Sequence, residues 1–106
     1  MATSASLRRQ FQDVFSEVIT HTSTLNVASL ADGAGSTEVV AVPGAALGDF
    51  VLVSFATDVL DVTITGYVQA AGVVELRVQN ESAGTRDLAS TTVRIVVLKP
   101  NPSAFL

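Results

Sequence analysis

The chain is expected to be all-β, a small antiparallel β-sandwich carrying a short N-terminal helix or arm and an extended C-terminal tail. Three observations predict this. Residues 60–79 alternate strictly: Leu60, Val62, Ile64 and Val68 against Asp61, Thr63, Thr65, Tyr67 and Gln69, then Val74, Leu76 and Val78 against Glu75, Arg77 and Gln79. Side chains on a strand point to opposite faces in turn, so period-two patterning means one buried face and one wet face. Second, six or seven short β-prone segments recur at a spacing of about 10 residues with turn signals between them, the pattern of a sandwich. Third, the chain has 106 residues, 48% of them hydrophobic, which is one domain with a real core.

The elements follow in order. Residues 1–4 are small and polar, a loose end. Leu7, Phe11, Val14, Phe15 and Val18 then recur at helical spacing, with Arg8, Arg9, Gln12, Asp13 and Ser16 mostly elsewhere on the wheel. Ser4 or Ser6 is placed to cap this helix, and Arg8 and Arg9 sit at the unfavourable end of its dipole. Two readings stay open for it: a helix packed on an open end of the sandwich, or an arm that docks on a neighbouring subunit. Residues 19–27 turn to Thr, Ser and Leu, a strand composition. Residues 31–36 form a turn or loop, 37–42 a strand, and Pro43-Gly44 breaks it.

Residues 50–56 are nearly continuously apolar. They are read as a strand buried on both faces, either central in its sheet or lying under an interface. The two alternating runs of 60–79 make a hairpin across Ala70-Ala71-Gly72, with Gly72 at positive φ. Residues 80–87 are a polar loop. Residues 90–99 are the last strand, with Val93, Ile95 and Val97 on one face and both faces apolar toward its end, hence an interior strand. Two prolines, Pro100 and Pro102, are expected to stop the ladder, and an extended tail ends in Phe105-Leu106. The division is therefore 1–18, N-terminal helix or arm; 19–99, β-sandwich; 100–106, tail.

Composition excludes several function classes. The net charge of −4 argues against nucleic-acid binding and against anionic membrane surfaces, since neither has a basic face to meet it. No run approaches the ~20 apolar residues of a transmembrane helix. Arg8-Arg9 is not a twin-arginine export signal, because Asp13 and Glu17 interrupt where an apolar stretch should follow. Only 15% of residues are charged, so the surface is covered by Ser, Thr, Asn, Gln and Ala, or by other subunits.

Catalytic chemistry has no foothold. There is no cysteine, a single histidine, His21, and no Gly-x-Ser-x-Gly elbow, so nothing marks a nucleophile–base pair, and a zinc site within one chain is not expected. Gly33 and Gly35 lack the Lys-Ser or Lys-Thr that completes a phosphate loop. Asp58 and Asp61 flank a turn, where carboxylates bond locally. Asn80-Glu81-Ser82 matches a glycosylation sequon by chance. One tyrosine, Tyr67, and no tryptophan leave little for a sugar-binding platform. The chain is read as a non-enzyme without metal or cofactor.

Three stretches carry a family resemblance: Val42-Pro43-Gly44-Ala45-Ala46-Leu47-Gly48-Asp49-Phe50-Val51, the segment 66–80 from Gly66-Tyr67-Val68 to Val78-Gln79-Asn80, and 87–95 from Asp87-Leu88-Ala89 to Arg94-Ile95. Together they resemble small structural proteins of tailed bacteriophages, cyanophages included, of the type that decorate or cement capsids. The Gly-Ala-x-Leu-Gly-Asp segment is the distinctive part, and the likeness covers about residues 25–99. It implies a jelly-roll-like sandwich without enzymatic activity on the outer capsid surface of the virion. There it would be a homotrimer bound to the major capsid protein and clamping neighbouring capsid subunits. The likeness does not reach the N-terminal segment. The candidate protein-contact residues are Leu7, Phe11, Phe15, Phe105 and Leu106, chosen for apolarity and terminal placement. The alternatives are a tail, spike or fibre module of a phage, and a carbohydrate- or ligand-binding β-sandwich.

Overall fold

The computed structural model describes residues 5–106, and side chains from Arg8 onward. The chain runs α1 (Ala5–Val14), β1 (Phe15–Leu25), β2 (Gly35–Ala41), β3 (Phe50–Phe55), β4 (Thr63–Ala70), β5 (Val73–Gln79), β6 (Thr91–Pro100) and a 3-10 turn, η1 (Pro102–Phe105). Two three-stranded antiparallel sheets, ordered β1-β6-β3 and β2-β5-β4, face each other. The expected small all-β sandwich is what forms. Four of the five strand-to-strand connections cross between sheets, a jelly-roll-like alternation, and only β4–β5 is a hairpin within one sheet.

The central strands carry the core. Val74, Leu76 and Val78 of β5 and Val93, Ile95 and Val97 of β6 are all essentially inaccessible to water. They meet Val40, Val42, Ala45 and Val68, while a second cluster of Val27, Leu30, Val62 and Leu88 joins Val78 at the far end. The alternation that marks β5 and β6 in the sequence is thus the register of the inner faces. The sheets approach closely at Gly66, where an added Cβ would lie 2.9 Å from Val51 Cγ1 and 3.1 Å from Leu76 Cδ2. The β4–β5 turn places Gly72 at φ +73°, as its turn position requires.

Several boundaries differ from expectation, each for a local reason. The first alternating run begins to pair only at Thr63, because Leu60 and Asp61 both take left-handed φ angles of 54° and 65°. Asp58 Oδ1 accepts the Leu60 N–H at 2.9 Å and Arg86 Nε donates to the Leu60 carbonyl at 3.1 Å, so this turn uses its polar groups locally. The helix stops at Val14, and Phe15 and Val18 belong to β1. The Val14 carbonyl accepts the Asn101 N–H at 2.7 Å in place of a further helical turn. The ladder does not stop before the prolines: Pro100 pairs with Phe15 as the last residue of β6. The tail is not extended, since Asn101 caps η1 and turns the chain back. The roles expected for Ser4, Ser6 and Leu7 lie outside the residues whose side chains are described.

Of the two placements expected for residues 50–56, the central one does not form: β3 is the edge of its sheet, next to β6. Val51, Val53 and Phe55 point into the core, and Phe50 and Leu52 point outward into water. In a two-layer sandwich a run apolar on both faces still has one face outside.

The loop between β2 and β3 contains the Gly-Ala-x-Leu-Gly-Asp segment. Gly44 and Gly48 both sit at φ +94°. Asp49 accepts the Ala46 N–H at 2.9 Å and pairs with Lys99 Nζ at 2.7 Å, anchoring the loop to β6. Asn80, wholly buried, does the same for the opposite end of the molecule. Its Nδ2 donates to the Leu30 and Gly84 carbonyls at 2.8 Å each, and its Oδ1 accepts from the Ser82 backbone and hydroxyl. With its amide spent inside, Asn80 offers nothing to glycosylation in the folded chain.

Candidate protein-interaction face

The site is the outer face of the β1-β6-β3 sheet. Register sets which residues share it. Across the three strands the outward rows read Val18–Leu98–Phe50, Thr20–Val96–Leu52 and Thr22–Arg94–Ser54, with Thr24–Thr92 beyond and Phe15–Pro100 at the near end. One end of this face is therefore apolar and the other is rich in hydroxyls around Arg94. A bulge between Phe15 and Glu17 lets the ring of Phe15 join the apolar end.

Four rings form a continuous row there. Phe11 of α1 lies 5.0 Å from Phe15, Phe15 lies edge-on to Phe50 at 5.9 Å, and Phe50 lies 6.1 Å from Phe105 of η1. These separations and tilts are the ones aromatic quadrupoles favour. The two terminal segments are held beside each other by Asn101, whose N–H meets the Val14 carbonyl and whose Nδ2 meets the Asp13 carbonyl at 3.2 Å. Even so assembled, the row is not shielded: Phe11 is 43% exposed, Phe50 47%, Phe105 55% and Leu52 59%.

The outer face of the other sheet is different in kind. Its rows read Thr37–Arg77–Thr65 and Val39–Glu75–Tyr67. Arg77 Nη1 donates to Thr37 Oγ1 at 3.0 Å, and the apolar residues Val39 and Tyr67 are separated by Glu75. An opposite pair of faces, one mixed and one with a contiguous apolar end, gives the molecule a polarity that composition does not reveal.

Of the residues singled out in the sequence, Phe11, Phe15 and Phe105 come together. Leu106 follows Phe105 and is fully exposed. The side chain of Leu7 is outside the described residues. Phe50, Leu52 and Val18 lie exposed on the same face and were not among the candidates. Their signal was present in part, since seven apolar-rich residues in a row exceed what one buried face needs, and Val18 was read on a helix rather than on a strand. His21 points inward on β1, opposite Ile95. Among the described residues no group of three or more His, Cys, Asp or Glu side chains gathers in one place, and no buried side-chain nitrogen or oxygen lacks a hydrogen-bond partner. What the face can do chemically is bury apolar surface against another protein. Compared with protein-family models, with curated proteins and with solved structures, the chain matches none.

Proposed function

We propose that this chain is a non-enzymatic assembly module of a phage virion, a capsid cement or decoration protein. It would bind the outer capsid surface as a homotrimer and stabilise contacts between subunits of the major capsid protein. The observation that carries the assembly role is the apolar aromatic end of the β1-β6-β3 face, built jointly by both terminal segments and left open to water. A solitary soluble protein gains nothing from keeping such a surface exposed, whereas one that meets other proteins does. The virion setting comes from the resemblance of the 42–51, 66–80 and 87–95 segments to phage decoration proteins. The mechanism is mechanical: buried contact area spanning neighbouring capsid subunits opposes the outward push of packaged DNA.

The test is to add purified protein to undecorated heads and measure co-sedimentation and head survival on heating. Saturable binding with raised survival is expected. Absence of binding, or labelling of the protein on tails rather than heads, would replace this reading with the tail-module one.

A further inference from the structure

We infer that the free edge of β1, from Val18 to Leu25, is a strand-acceptor site: an extended segment of a partner protein pairs there and continues the β1-β6-β3 sheet. The inference deepens the assembly reading above, and rests on it only for the partner's being a neighbouring virion protein.

Backbone bonding fixes which groups of β1 are left over. In an antiparallel sheet the N–H and C=O of one residue point to the same side, and successive residues alternate sides. The Thr92 carbonyl accepts the Ala56 N–H at 3.0 Å, so Thr92 turns toward β3, and Arg94, Val96 and Leu98 turn with it. Val93, Ile95 and Val97 turn the other way, onto Ser23, His21 and Ile19. Val18, Thr20, Thr22 and Thr24 therefore aim their N–H and C=O groups away from β6, along the free edge. Among the described residues nothing meets those groups.

A sheet edge is a template for another strand unless something blunts it. The other three edges are blunted. β3 and β4 lie against each other across the sheets, where a Cβ added at Gly66 would stand 2.9 Å from Val51 Cγ1. β4 also carries a bulge between Val68 and Ala70. β2 turns a charge inward at Glu38, half-buried in the middle of the strand. β1 instead keeps an unbroken register with β6 over Val18–Leu25, a length of about 27 Å. That run holds no Pro, Gly, Lys, Arg, Asp or Glu, and most of it is β-branched.

The free ladder selects the class of occupant. Donor and acceptor pairs repeating in a line about every 6.8 Å are matched by an extended backbone, not by a helix or a compact loop. Charge narrows the choice. The chain carries −4, and the only charged side chain of β1, Glu17, stands just before the free run. A neutral or basic segment fits this edge and an acidic one does not. Residues of the segment that fall beside Ile19 and Leu25, both half-buried, extend the apolar inner face, so the segment alternates as β1 does.

Amide hydrogen exchange on the full chain tests this. The probe is a synthetic peptide of residues 91–99, which is basic and is the strand that β1 already accepts on its other side. In the protein alone Val18, Thr20, Thr22 and Thr24 are expected to exchange about tenfold or more faster than Ile19, His21 and Ser23. Saturating peptide is expected to slow the first group by about tenfold, and a peptide with alternate amides N-methylated is expected to leave it unchanged. Thr22→Pro removes one edge-facing N–H and leaves the β6 ladder whole. Folded by circular dichroism, it is expected to lose most of the response. Should it not fold, Thr22→Lys is expected to bind the peptide about tenfold more weakly, because the added charge blunts the edge. A peptide that leaves wild-type exchange unchanged overturns the inference, as does one that protects the folded variant as well as the wild type. Protection in the protein alone that disappears on dilution also overturns it, by giving the edge to a second copy. Undecorated heads are read separately. Heads that ignore a wild-type chain whose edge the peptide protects defeat the capsid reading and leave this inference standing. Heads that bind wild type and folded Thr22→Pro equally do the reverse.

Discussion

Asp49 and Lys99 form a partly buried ion pair, 2.7 Å between Oδ2 and Nζ, with the carboxylate side chain 7% exposed and the ammonium side chain 21% exposed. The same carboxylate oxygen closes its own loop on the Ala46 N–H. One side chain thus shapes the β2–β3 connection and fastens it to β6, the central strand of its sheet. Removing the charge alone, as in Asp49→Asn, leaves a lysine without its partner and is expected to cost about 1–3 kcal/mol. Lys99→Met in the same chain is expected to recover part of that loss. Urea unfolding of both single variants and the double variant measures the coupling, and additive losses would show that the pair contributes nothing.

Asn80 is the equivalent fastening for the Leu30 and Gly84 loops. Asn80→Ala removes four hydrogen bonds and leaves the Ser82 N–H without its acceptor, while the Leu30 and Gly84 carbonyls keep the Arg86 N–H and the Ser82 hydroxyl, so a loss of about 1–3 kcal/mol is expected. Thermal unfolding checks this. Asn80→Asp should be no rescue, since a carboxylate cannot donate to either carbonyl.

Gly66 holds the sheets at their separation. Gly66→Ala drives a methyl group into Val51 and Leu76 and is expected to destabilise by about 1–3 kcal/mol. Val51→Ala made alongside it opens the space, so the pair of substitutions should cost less than the sum of the two measured alone.

Asn101 caps η1 through its Oδ1 and reaches Asp13 through its Nδ2. Asn101→Ala is expected to cost only about 1 kcal/mol globally. It should release residues 101–106 and bare more of Phe50, and hydrogen exchange confined to that segment would report it. Exchange unchanged there would mean that ring packing, not the cap, holds the turn.

How far the sequence could be read depended on where each strand lies. β5 and β6 were legible because both are central, so their inward residues are all buried and the period-two pattern is clean. β3 was not, because apolar residues on an exposed face look the same in a sequence as apolar residues in a core. The helix was overextended for a related reason: Val14, Phe15 and Val18 fit a helical stripe, and nothing local says that Asn101, more than eighty residues on, takes the Val14 carbonyl. The candidate contact residues were found by apolarity near the chain ends. Phe50, in mid-chain, needed the β3–β6 register to bring it to the same place.

The pairing of β1 with β6 also sets a clock. Among the described residues β1 has no other strand neighbour, and its first residue, Phe15, waits for Pro100. A ribosome adding about 5–20 residues per second spends several seconds between the two. Through each round of synthesis the segment holding Phe11, Phe15 and Val18 stands without its partner strand while the β4–β5 hairpin can already close. The last strand is therefore the one whose arrival completes the β1-β6-β3 sheet.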